Sequence, residues 1–141
     1  MSEPERLAAG GARQAETVLV VEDEEGVRDM AAEILRMAGY NVFEARGGGE
    51  ALAVEGGHSG PIHVLVTDVI MPVMNGRELA KRLAVLRPGL KVLYMSGYVS
   101  DVLAREAIDE AEAAFLAKPF TPAALAARVR RLLTDEGKEG A

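Results

Sequence analysis

Five polar residues stand each at the end of a short apolar run, and together they could do phosphate chemistry. Glu22 and Asp23 follow TVLVV, Asp68 closes HVLVT, Ser96 follows KVLYM, and Lys118 follows AAFLA. If those runs are parallel strands of one open sheet, their carboxyl ends open onto a single crevice, which is where such sheets bind ligands. Glu22, Asp23 and Asp68 then meet. Clustered carboxylates repel unless a cation neutralises them, and a small all-oxygen set suits Mg²⁺, which keeps several waters and shares its shell with phosphate. The Ser96 hydroxyl and the Lys118 ammonium complete a phosphate site. Taken singly, each residue has a plainer role. Glu22 and Asp23 would complement the dipole of a following helix, Asp68 would be a cap, Ser96 a turn residue and Lys118 a solvated cation. The joint pattern at matching strand ends favours the chemical reading.

The elements that must hold these residues in place are also visible. Apolar runs alternate with amphipathic stretches: TVLVV, GVRDMAAEILRMA, NVFEA, GGEALAVE, IHVLVT, NGRELAKRLAVLR, KVLYMS, DVLAREAIDEA, AAFLA and TPAALAARVRRLL. A short β-rich run followed by a helical period, repeated along the chain, is the signature of βα units in a parallel sheet. Val27, Met30, Ile34 and Leu35 make one apolar stripe, as do Leu79, Leu83 and Leu86, and Leu125, Val129 and Leu132. Each stripe is expected to pack on the sheet. Thr121-Pro122 reads as an N-cap with proline at the first helical position, Gly39 as a C-cap, and Pro88-Gly89 as a helix stop. The continuously apolar VLVV and HVLV belong at the sheet centre, covered on both faces. The helix over GGEALAVE is weakly supported, with glycines on both sides, and that edge is expected to be the loosest.

Composition bounds the function. The chain has 141 residues, 49% of them hydrophobic, which supports one compact domain with no fused output domain. It has no cysteine, so no disulfide framework, zinc ribbon or thiol nucleophile. A net charge of −6 argues against direct nucleic-acid binding, which needs a basic face. The acidic N-terminus is unlike a signal peptide and no apolar run approaches a membrane span. A soluble cytoplasmic protein is expected. Residues 1–15 and 135–141 read as flexible tails around a domain over 16–134.

The segments VVED (Val20–Asp23), TDVIMPVMNG (Thr67–Gly76), MSG (Met95–Gly97) and KPF (Lys118–Phe120) resemble the receiver domain of two-component response regulators. Four motifs in order, each at a strand end, are a specific signal. The stretch MSGY…FLAKPF is most similar to receivers of hybrid histidine kinases. The resemblance implies a flavodoxin-like, doubly wound five-stranded parallel sheet of order 2-1-3-4-5, with helices on both faces. It implies Asp68 as phosphoacceptor for a phosphohistidine of a histidine kinase or histidine phosphotransfer protein. Glu22, Asp23, Asp68 and the Ile70 backbone carbonyl would hold Mg²⁺, Ser96 would bond a phosphoryl oxygen, and Lys118 would pair with the phosphate charge. Phe115 matches the switch aromatic that follows the Ser96 hydroxyl inward, and the Lys118-Pro119 bond is expected to be cis. Partner docking is expected at Gly26, Val27 and Met30 and at Pro119 and Phe120. Ile70 and Tyr98 occupy the positions that orient or exclude the hydrolytic water, so a long-lived phosphorylated state is expected.

Two departures stand out. Glu22 replaces the commoner Asp, keeping charge and lengthening reach, and Glu110-Ala111-Glu112 replaces the usual Gly-Ala turn before the last strand. Tyr40 and Tyr94 read as packing residues, and His58 and His63 have no partner at metal or triad spacing. Arg128, Arg130 and Arg131 read as dipole-complementary surface charges. The protein is therefore expected to be a signalling domain that takes part in its own phosphoryl transfer and dephosphorylation, and not otherwise an enzyme. The alternative is a phosphorylation-independent protein-binding module on the same fold, against which the intact acid set argues. A dehalogenase-like phosphatase would need its nucleophile after the first strand, and a flavin protein a Ser/Thr-Gly-rich loop in place of EDEEG.

Overall fold

The structure, a computed structural model, describes residues 15–97 and 114–140, with backbone alone from 135. Five strands, β1 (Thr17–Val21), β2 (Asn41–Ala45), β3 (Val64–Asp68), β4 (Lys91–Ser96) and β5 (Ala114–Ala117), form one parallel sheet. Its order is β2-β1-β3-β4-β5. Among the described residues there are four helices: α1 (Glu25–Met37), α2 (Gly48–Gly57), α3 (Gly76–Leu86) and α4 (Pro122–Gly140).

Side chains of a strand alternate between faces, and here both faces are apolar. Leu19, Val21, Leu65 and Val69 pack with Leu79 and Leu83 of α3 on one side. Val18, Val20, Val64 and Val66 pack with Leu35 of α1 and Leu125 and Val129 of α4 on the other. Double coverage explains why every residue of β1 is buried. The edge strand β2 is buried only at Ala45 and grades outward from there.

Most helix boundaries fall where local chemistry put them. The Thr121 hydroxyl accepts from the Ala124 N–H at 3.0 Å, capping α4 at its expected start. The Asn75 side chain accepts from Glu78 N–H at 2.8 Å and caps α3. Gly39 after α1 takes φ +103°, a left-handed conformation that glycine reaches without steric cost. Two stripe residues were misplaced. Met30 is 41% exposed and Leu86 53% exposed, because α1 turns the small pair Ala31 and Ala32, with Leu35, onto the sheet, while α3 seats only Leu79, Ala80 and Leu83. α4 continues as helix to Gly140, across residues 135–140 where a tail was expected.

Helix α2 forms despite its glycines, and an arginine from outside it supplies the anchor. Arg87, just past α3, donates from Nε to the Glu55 carboxylate at 3.1 Å and from Nη2 to the His58 carbonyl at 2.7 Å, and Nη1 bonds the Gly60 carbonyl. Charge-assisted bonds of this kind are stronger than neutral ones, so the loop leaving α2 is tied to the body of the domain. The stretch DVLAREAIDEA, Tyr98 and Glu110-Ala111-Glu112 lie outside the described residues. Among the described residues no helix is long and apolar enough to cross a membrane.

Candidate functional site

The site is assembled by the strand ends. Glu22 leaves β1 with its N–H donating to the Ala45 carbonyl at 3.1 Å and its own carbonyl accepting from Arg28 Nη1 at 2.9 Å. Its side chain is completely buried. One carboxylate oxygen accepts from Lys118 Nζ at 3.1 Å and the other from the Glu24 N–H at 3.1 Å. Burial pushes the Glu22 carboxyl up to about 7, with the neighbouring Asp68 charge adding to it, while the Glu24 N–H and Lys118 pull the other way.

Asp68 ends β3, half-buried, with Oδ2 3.4 Å from Lys118 Nζ. Burial raises its carboxyl too, against the opposing pull of Lys118, and Asp23 adds to the rise. The backbone around Asp68 is closely held. Its carbonyl accepts from the Thr67 hydroxyl at 2.9 Å, and a Cβ at Gly76 would stand 2.1 Å from that same carbonyl oxygen. Only glycine fits there, at the first position of α3.

Lys118 follows β5, with the Lys118-Pro119 bond cis, and its N–H donates to the Ser96 carbonyl at 2.9 Å. Burial alone would lower the lysine; the hydrogen bond to Glu22 and the charge of Asp68 outweigh it and raise the ammonium above its usual range. Nζ also lies 4.0 Å from a carboxylate oxygen of Glu24, a rim acid that the strand-end pattern did not single out. Arg28, whose side chain is 11% exposed, was likewise missed; it braces the Glu22 backbone and lies 3.7 Å from Glu44 of β2.

Glu22, Asp23 and Asp68 each offer one carboxylate oxygen, and these oxygens lie within 4.8 Å of one another. That spacing and the hard-oxygen donor set fit a divalent cation. Ser96 closes β4 beside them and is buried. Ile70 sits in the loop after β3 with its side chain half exposed. Phe115 on β5 is buried. Of the expected docking residues, Gly26, Met30 and Pro119 are exposed and Val27 is partly buried. Phe120 is also partly buried and packs on the core beneath α4.

A five-stranded parallel sheet in this order, carrying three acids and a lysine at its carboxyl end, defines a receiver, and the chain belongs to the response regulator receiver domain family, matched over residues 18–130. Among curated proteins it is 40% identical over 120 residues to the sensor kinase CckA of Brucella abortus, covering 85% of this chain and 13% of that protein. It is 32% identical over 116 residues to the response regulator receiver protein CpdR of the same species, covering 82% of this chain and 95% of CpdR. The crystal structure of the receiver domain from the hybrid histidine kinase CckA superposes with a TM-score of 0.70 at 38% identity, covering 83% of this chain and 98% of that one. The chemotaxis protein CheY4 of Vibrio cholerae gives 0.74 at 31% identity, covering 84% and 98%. The chain thus spans a small part of the sensor kinase and nearly the whole of CpdR.

Proposed function

We propose that this receiver is a phosphoacceptor switch of a two-component phosphorelay, with residues 16–134 as the working domain. The observation that supports it most is the placement of Lys118 between the Asp68 and Glu22 carboxylates, 3.4 and 3.1 Å away, beside the three-acid group. An Asp68 carboxylate oxygen attacks the phosphorus of a phosphohistidine. A P–O bond forms, the P–N bond breaks, and the imidazole leaves with the electron pair. The aspartyl phosphate is the product.

Little covalent work falls to the protein in such a transfer, so positioning and charge do the rest. Mg²⁺ held by Glu22, Asp23, Asp68 and the Ile70 carbonyl would offset charge on the phosphoryl oxygens. Lys118 pairs with the same oxygens, and Ser96 donates its hydroxyl to one of them. Phe115 acts as the switch aromatic that carries the change to the surface. The phosphodonor is a histidine kinase or a histidine phosphotransfer protein in the cytoplasm, docking across Gly26, Val27, Met30, Pro119 and Phe120. The domain takes part in its own dephosphorylation and has no further catalytic activity.

The test is labelling by acetyl phosphate or a phosphohistidine kinase with Mg²⁺. The chain should gain one acid-stable, hydroxylamine-labile phosphoryl group, seen as a single mass increment, and Asp68→Asn should gain none. Equal labelling of that variant would overturn the assignment and leave the phosphorylation-independent binding module as the reading.

A further inference from the structure

Tyr94 and Phe115 stand directly opposite one another on β4 and β5. Their rings are stacked, with centroids 5.4 Å apart and planes at 30°. Both belong to the apolar layer that holds Leu65, Leu79 and Leu83, and they are 7% and 8% exposed. Strand alternation places Tyr94 on the same face of β4 as Ser96, and Phe115 on the same face of β5 as Ala117, the residue before Lys118. The stacked pair is therefore one pleat below the Ser96 hydroxyl, with Phe115 three residues before Lys118. On its other side Tyr94 is paired with Thr67, whose hydroxyl bonds the Asp68 carbonyl at 2.9 Å. Burial raises the Tyr94 phenol, and the charge of Arg77 on α3 pulls it back.

A buried aromatic pair gains from its ring geometry as well as from the area it removes from water. Phe115 therefore has a reason to stay inward that owes nothing to a phosphoryl group. We propose that Tyr94 is a positioning residue that holds Phe115 buried before phosphorylation, so that this receiver begins its switch with the aromatic already inward. The inference rests on the reading of Phe115 as the switch residue. A ligand shifts a two-state element only by its differential affinity for the two states. With the inward state already favoured, a phosphoryl mimic spends little of its binding on moving Phe115, and loss of the Tyr94 ring should weaken the mimic.

The experiment uses the full chain, beryllium fluoride with Mg²⁺ as the probe, and the variants Tyr94→Leu and Tyr94→Phe. Calorimetry should show affinity falling about 2- to 12-fold in Tyr94→Leu, the equilibrium equivalent of one aromatic pair, and unchanged within about twofold in Tyr94→Phe, which keeps the stack. Without the probe, the Phe115 ring resonances should be displaced by their stacked neighbour in the wild type and in Tyr94→Phe, and should move to averaged positions in Tyr94→Leu. A general loss of stability would lower the melting temperature without moving affinity or these resonances in this pattern. Tyr94→Met replaces the leucine variant if that one fails to fold. Unchanged Phe115 resonances, or equal probe affinity in the leucine variant, overturns the inference. Failure of the wild type to bind the probe would instead strike the phosphoacceptor reading, and the ligand-free resonances would still decide whether Tyr94 holds Phe115.

Discussion

Replacing Glu22 with Gln should flatten the pH dependence of stability, because the wild-type carboxyl is buried where its charge is costly. Its folded value stands at about 7 against an ordinary 4.5. A proton bound more tightly in the folded state favours folding while it is bound. The contribution is fully present below pH 4.5 and is lost as pH rises through about 7. The difference of about 2.5 pH units, at about 1.4 kcal/mol each, amounts to about 3 kcal/mol. Solvent screening does not reduce it, since the Glu22 side chain has no exposed surface. Lys118, raised from 10.5, titrates above this window and adds no slope within it. Asp68, also raised, loses its contribution in the same direction as Glu22, and in the variant Lys118 keeps Asp68 as its nearer carboxylate, with Glu24 at 4.0 Å, which widens the gap between the two profiles.

The measurement is urea unfolding at several pH values from 4.5 to 8 for the wild type and Glu22→Gln, without divalent cation and then with millimolar Mg²⁺. Relative to the variant, the wild type should lose about 3 kcal/mol across the range. Added Mg²⁺ should restore more of it at pH 8 than at pH 5, since a ligand stabilises the form it binds and an ionised carboxylate is that form. Profiles that run parallel would refute the reasoning, for they would mean that the Glu22 carboxyl ionises as a solvated group does.

Two further outcomes bear on the proposed function. Met30→Glu should slow phosphotransfer from a cognate kinase by about tenfold, the effect of about 1.4 kcal/mol at an interface, while leaving labelling by acetyl phosphate unchanged; equal slowing of both would place the effect in the pocket. Ile70→Asn should hasten decay of the aspartyl phosphate by an amount worth about 1 to 2 kcal/mol of barrier, because an amide can hold a water in line where Ile70 cannot, and a wild-type half-life as short as the variant's would disprove it.

The strand ends and most helix boundaries were legible because each rests on local signals, whereas the sheet order followed from the resemblance to receiver domains. Continuous apolar runs mark β1 and β3, and Thr121-Pro122 marks α4 at its first residue. The site was legible for the same reason, since a parallel sheet brings its carboxyl ends together whatever the loops do. The anchor of α2 was not. Arg87 reaches one carboxylate and the carbonyls of His58 and Gly60, and a carbonyl acceptor leaves no trace in the residue type that carries it. The exposure of Met30 was hidden differently. Val27, Met30, Ile34 and Leu35 satisfy a helical period, but the adjacent alanines allow a closer approach to the sheet, and that choice depends on the surface opposite.

Glu22 joins both kinds of legibility. Its position at a strand end identified it as an acid of the site, and its extra methylene announced longer reach. What that reach accomplishes depends on two groups that sequence spacing does not bring together: Lys118, 96 residues away, and the Glu24 N–H, two residues on. With one oxygen on each, the carboxylate is fixed in orientation by the protein's own groups, and Lys118 is held nearer Glu22 than Asp68. On the proposed function, the lysine has to be drawn off this buried partner as a phosphoryl group arrives. On the same reading, neutralising that partner should change how readily the lysine is released as well as how well a cation is held.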